Sequence, residues 1–284
     1  MTALLSYEVV DVFTDRPFAG NPLAVVLDAD ALSTEQLQAI AREFNLSETA
    51  FPMAASDGAD YRLRIFTPQQ ELPFAGHPSL GAAEVLQRLG RIAAGRVTMS
   101  CGAGLLPLDV QPGWVTLTGG APSWGAGIDA EGLLGALGLS GADGTGPARR
   151  VGCGIDFHVV PVTRSALARI RPDLGAVAAH GGAGVSAFCW DGSVAWTRVF
   201  AAGAGVPEDP ATGSAALGLG LHLVLSGALG ADGQQHYQVV QGVEMGRASF
   251  LRCTVDAEAG RPLRAQVSGS IAPVARGEIR IPAG

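Results

Sequence analysis

Hydrophobic positions along the chain switch between a period of two and a period near 3.6, and the switches mark the elements. Tyr7–Phe13 (YEVVDVF) reads as a strand, Gly20-Asn21-Pro22 as a turn and Leu23–Leu27 as a second strand. Ser33–Phe44 reads as a helix, because Leu37, Ile40, Ala41 and Phe44 share one face and Ser33 with Gln36 forms a capping box. NLSETAFPM then runs from a polar loop into an apolar strand, with Glu48 where that strand begins. Residues 61–66 alternate as a strand, Leu63 and Ile65 against Arg62 and Arg64. After a Pro-rich loop a helix is predicted over 77–89. Pro78 suits its first turn, Ala82, Val85, Leu86 and Leu89 form its apolar face, and Gly90 stops it. Residues 96–118 hold two or three further short strands.

That pattern has an echo. RIFTPQQELPFAGHPSLGAAEVLQRL from Arg64 is matched by RVFAAGAGVPEDPATGSAALGLGLHLVLSG from Arg198. Both read Arg-apolar-Phe, loop, a glycine with a polar partner (Gly76-His77, Gly213-Ser214), and a small-residue helix closing on Gly90 or Gly227. The second loop is longer by a short insertion. A repeat of this length points to two similar halves, in which two helix N-termini could converge on one small molecule.

Elsewhere, residues 119–150 shift to Gly, Ala and Ser around one helical piece, Asp129–Leu139, which marks the boundary between halves. GCGIDFHVVPV reads as a strand, SALARIRPDL as a helix or helical turn, and 185–200 as strands. A helix follows over Ser214–Leu225. QHYQVVQG, RASFLRCTV, RAQVSGSIAPVA and GEIRI are strands, and those from Val267 onward could return to the first half. Strands around one long helix in each half make an α+β protein with mostly antiparallel pairing.

The chain has 284 residues, 48% hydrophobic and 16% charged, with a net charge of -7. This is a globular composition with no basic run for nucleic acid and no membrane-length apolar stretch. The N-terminus shows no signal-peptide pattern, so cytoplasm is the expected compartment. All nineteen basic residues are arginine. Without lysine, side-chain Schiff bases, pyridoxal-phosphate chemistry and a Walker-type phosphate loop are excluded. No GxGxxG follows a strand, so a dinucleotide site is not expected. Cys101, Cys153, Cys189 and Cys253 lack any CxxC spacing and read as four buried, reduced thiols.

Glu48 is either a solvated or capping loop carboxylate or, if partly buried, a general acid/base able to take and return a proton. His77, where a helix begins, either bonds a carbonyl or faces a ligand held by that helix end. Asp209 and Ser214 bracket the matching loop EDPATGSAA. Capping and ligand binding both suit them, since both recruit the same N–H groups. Ser214, His77 and Asp209 could also form a serine-hydrolase trio, but G-x-S-x-G is missing. His77, Glu208 and Asp209 lack metal-site spacing.

Four ordered segments, VDVFTDRPFAGNPLAVV, FNLSETAF, RIFTPQQELPFAGHPSLGAA and GVPEDPATGSAALG, together resemble the PhzF-like family, named for a phenazine biosynthesis isomerase. That resemblance implies a diaminopimelate epimerase-like fold. Two similar domains, 1–120 and 121–284, would each wrap a curved sheet around a central helix, with the active site in the cleft between them. It implies that Glu48 is the catalytic acid/base, with His77 and Asp209 as catalytic partners, and that Ser47, Gly76, Thr212, Gly213 and Ser214 bind substrate. It implies an isomerase with no cofactor and no metal, a small carboxylated substrate, and a homodimer. The related epimerases use two cysteines where this chain has His77 and Ser214, so a two-thiol mechanism is not expected. The rival readings are a non-catalytic small-acid-binding homologue and an epimerase or racemase of amino-acid derivatives.

Overall fold

A computed structural model describes residues 4–283, which divide into two compact units, one formed by the chain up to Leu117 together with the segment from Ser268, the other by Thr118–Val267.

The first unit runs β1 (Leu4–Val12), β2 (Asn21–Val26), α1 (Thr34–Phe44), β3 (Glu48–Met53), β4 (Tyr61–Phe66), β5 (Glu71–Leu72), α2 (Gly76–Arg88), β6 (Gly95–Cys101), β7 (Gly104–Gln111) and β8 (Trp114–Thr118). The capping box of Ser33 and Gln36 starts α1, and Asn45, in the left-handed region at φ 51, ends it. Gly90, at φ 69, follows the end of α2.

The second unit runs β9 (Pro122–Ile128), α3 (Glu131–Ala136), β10 (Ala148–Cys153), β11 (Asp156–Pro161), α4 (Arg164–Arg169), α5 (Leu174–Ala179), β12 (Val185–Trp190), β13 (Val194–Ala201), β14 (Val206–Asp209), α6 (Gly213–Leu225), β15 (Gly233–Gln241) and β16 (Ser249–Glu258). The last strand, β17 (Arg261–Arg280), gives its first part to this unit and its last part to the first.

In the first unit β1 pairs antiparallel with β2, β2 parallel with β3, β3 antiparallel with β4, β4 parallel with β6, and β6 antiparallel with β7. β8 joins β7 to β17, and β17 returns to β1, so the ring of pairings closes. In the second unit β10, β11, β12, β13, β15 and β16 repeat the same alternation, antiparallel then parallel, and β17 follows. The Gly119 and Gly120 N–H groups, bonded to Ala265 and Cys153 carbonyls, bridge the gap. Each parallel step spans a helical crossover, so parallel pairs interrupt the mostly antiparallel sheet.

Each ring holds one long helix. Residues 76–86 of α2 and 213–224 of α6 are buried throughout. That burial demands small residues, because the helix backbone must approach the sheet closely. A Cβ on Gly81 would lie 2.5 Å from Leu23 Cδ2, and one on Gly218 would lie 3.0 Å from the Val151 carbonyl oxygen. The shorter helices cover outer faces: α1 packs Leu37, Ile40 and Ala41 on Val26, Phe51 and Phe66, while α3, α4 and α5 share a core with Val160, Val185 and Phe200.

Four sequence expectations change. GCGIDFHVVPV is a hairpin of β10 and β11, reversed at Gly154, whose φ of 105 suits glycine. SALARIRPDL yields α4 and the start of α5, separated around Pro172. RAQVSGSIAPVA and GEIRI form one continuous strand with a bulge opposite Val9/Val10. Of the four thiols, Cys153 and Cys253 are buried but Cys101 and Cys189 are partly exposed.

Candidate active site

The repeated segments place their chemistry at equivalent points. Arg64 in β4 forms a two-pronged ion pair with Glu71, both distances 2.7 Å, and Arg198 in β13 does the same with Glu208 at 2.8 Å. Glu71 stands five residues before Gly76, and Glu208 five before Gly213. The extra residues of the second copy therefore fall between arginine and glutamate, where Ala202–Ala204 forms a short 3-10 turn.

In the first unit Glu48 opens β3 opposite Leu23 of the parallel strand β2. Its Oε2 lies 3.6 Å from Nε2 of His77, the second residue of α2. The side chains are 13% and 4% exposed. This separation is just beyond hydrogen-bond reach. On the other side of the ring, Asn21 Nδ2 stands 3.3 Å from His77 Nδ1, and Ser47 Oγ donates to Asn21 Oδ1. Burial pushes the His77 pKa down to about 3, against the smaller opposite effect of the Pro22 backbone, so the imidazole is neutral at ordinary pH. No side chain caps α2, Pro78 has no N–H, and the Gly76 and His77 N–H groups lack intrahelical partners.

In the second unit the residue before α6 is Thr212, which also makes no side-chain cap. Its hydroxyl donates to Asp209 Oδ2 at 2.5 Å and accepts from Gln241 Nε2 at 3.0 Å. Gly213 and Ser214 form the first helical positions, and Ser214 and Asp209 are buried. Ser249 Oγ donates to the Pro210 carbonyl, bracing the same loop.

Ser47, Glu48, Gly76 and His77 are thus gathered in one unit, and Asp209, Thr212, Gly213 and Ser214 in the other. Sequence reasoning missed Asn21 and Gln241. Asn21 lies inside the segment quoted for the resemblance, but its partner His77 is 56 residues away. Among the described residues no three His, Cys, Asp or Glu side chains group to hold a metal, and no helix is long and apolar enough to cross a membrane. None of the four cysteines lies in either loop, and burial pushes the Cys153 and Cys253 thiols up to about 12, away from the thiolate.

The sequence pattern of the phenazine biosynthesis-like proteins (PhzC-PhzF) matches residues 10–277. Trans-2,3-dihydro-3-hydroxyanthranilate isomerase of Pseudomonas chlororaphis is 37% identical over 278 residues, covering 96% of this chain and 98% of that one. The crystal structure of a Bacillus anthracis phenazine biosynthesis protein of the PhzF family superposes with a TM-score of 0.87 at 27% identity, over 98% of this chain and 100% of that one. A hydroxyproline epimerase from Agrobacterium vitis shares the fold, with a TM-score of 0.64 at 14% identity over 99% and 94% of the chains. The chain is a member of the phenazine biosynthesis-like family of isomerases.

Proposed function

We propose that the protein moves a proton on a small carboxylated substrate without a cofactor, with Glu48 as the acid/base. The observation that carries this is the pairing of Glu48 with His77. A partly buried carboxylate faces a buried, neutral imidazole beside an uncapped helix start. Glu48 takes a proton from one substrate carbon, exchanges it with water, and delivers a proton to another. A neutral imidazole offers hydrogen bonding without adding a second charge. The Gly76 and His77 N–H groups and the positive end of α2 stabilise the negative charge that develops on the substrate.

Thr212, Gly213 and Ser214, at the start of α6, bind the substrate carboxylate by the same helix-end chemistry, with Ser47 completing the polar surroundings of Glu48 and Asp209 assisting the second proton transfer. The relative's name makes trans-2,3-dihydro-3-hydroxyanthranilate the first substrate to try. Protein dialysed against a chelator and given this compound in deuterated water should form an isomer carrying deuterium at carbon. Absence of turnover that metal ions restore would contradict cofactor independence, and turnover without label would contradict a solvent-exchanging acid/base.

A further inference from the structure

Besides Ser249 on the Pro210 carbonyl, one buried amide grips both ends of the loop before α6. Gln241 ends β15, is 1% exposed, and has every hydrogen-bonding position of its amide filled. Oε1 accepts from the Thr212 N–H at 3.2 Å and the Thr197 hydroxyl at 3.4 Å. Nε2 donates to the Asp209 carbonyl at 2.7 Å and to Thr212 Oγ1 at 3.0 Å. One backbone donor and one backbone acceptor fix which way round the amide lies. Because Thr212 Oγ1 accepts from Gln241, its own hydrogen goes to Asp209 Oδ2. One amide therefore ties the Asp209 carbonyl to the Thr212 N–H and, through the Thr212 hydroxyl, helps orient the Asp209 carboxylate.

The internal repeat shows that the fold does not require this clamp. Ala195 pairs with Val239 as Tyr61 pairs with Met99, and Ala195 and Tyr61 each stand three residues before the repeated arginines. Two residues further on, Gln241 corresponds to Cys101. That thiol is partly exposed and reaches the Gly104 carbonyl, at 3.6 Å. The first unit closes its ring and buries its helix without an amide at this place. A fully bonded residue in one copy, absent from the other, serves the loop rather than the ring of strands.

We propose that Gln241 is a positioning residue for the isomerisation, holding Asp209, Thr212 and the start of α6 in the geometry that receives substrate. This rests on the reading of that loop as substrate-binding. The test is steady-state kinetics with trans-2,3-dihydro-3-hydroxyanthranilate, with circular dichroism on every variant. Gln241→Glu keeps the acceptor for the Thr212 N–H but loses one donor when protonated and both when ionised. It should fold as the parent does and lose at least about tenfold in kcat, and Gln241→Leu should lose more. Adding Thr212→Val to Gln241→Glu should cost no more than the larger single loss, because both cut the same link. Cys101→Ala, at the corresponding position of the other unit, should stay within about twofold of the parent. If Gln241→Leu fails to fold, the Gln241→Glu and Thr212→Val pair decides alone. A folded Gln241→Glu with parental kcat and KM, or two losses that multiply, overturns the proposal. A parent-like Asp209→Asn overturns the reading of the loop itself. An inactive Asp209→Asn beside a normal Gln241→Glu overturns only the positioning role.

Discussion

Nε2 of His77 faces Oε2 of Glu48 at 3.6 Å, and burial keeps that imidazole neutral. The two side chains come from a helix start and a strand start that the fold brings together, and the protonation of the histidine gives the first expectation.

His77 and His222 are held down to about 3 and about 4 by burial, and His158 is lowered by the same cause. All three are neutral when folded and protonate first in the unfolded chain. Their contribution to stability is therefore complete above about pH 6.5 and is lost as pH falls towards the folded values. Urea midpoints at about pH 7.5 and about pH 5 should show the parent losing more stability than His77→Gln between the two. An equal loss would mean that His77 is not buried neutral.

The two arginine–glutamate pairs should differ in weight. Arg198 is 6% exposed and also donates to the Leu167 and Ile170 carbonyls. Arg64 adds a bond to the Thr34 hydroxyl and no backbone carbonyl among the described contacts, and the Glu71 side chain is 37% exposed. Arg198→Ala should cost about 3 kcal/mol or more and Arg64→Ala about 1 kcal/mol, by chemical denaturation.

Close helix packing gives a third comparison. A Cβ on Gly220 would lie 2.2 Å from the Tyr237 hydroxyl and 2.7 Å from its Cζ. That ring is anchored by its bond to the Ala216 carbonyl at 2.8 Å, so swinging aside would break a buried hydrogen bond. On Gly81 the nearest atoms are the ends of Leu23 and Val12, which can shift. Gly220→Ala should destabilise by about 3 kcal/mol, and Gly81→Ala by about 1 kcal/mol once the helix preference of alanine is counted.

What the sequence revealed was local. Ser33 and Gln36 sit three residues apart, so their capping box was visible, as were the helices of the Arg64 and Arg198 segments. The arginines were seen as a repeat, but not their glutamates, because the unequal loops hid the common five-residue spacing to Gly76 and Gly213. The alternation of parallel and antiparallel pairs was invisible, since neither period nor composition says which strand lies beside which. Asn21 and Gln241 were missed for the same reason: each looks like an ordinary polar residue until its distant partner is in place. Glu48 and His77 stood out through the motifs around them, and their facing geometry came only with the fold.

The most direct test of the central claim is proton exchange at carbon in Glu48→Gln. With trans-2,3-dihydro-3-hydroxyanthranilate in deuterated water, the variant should keep the parental fold and lose about a thousandfold in the rate of label incorporation, within the range for a general acid/base. Incorporation within about tenfold of the parent would contradict the assignment of the proton to Glu48.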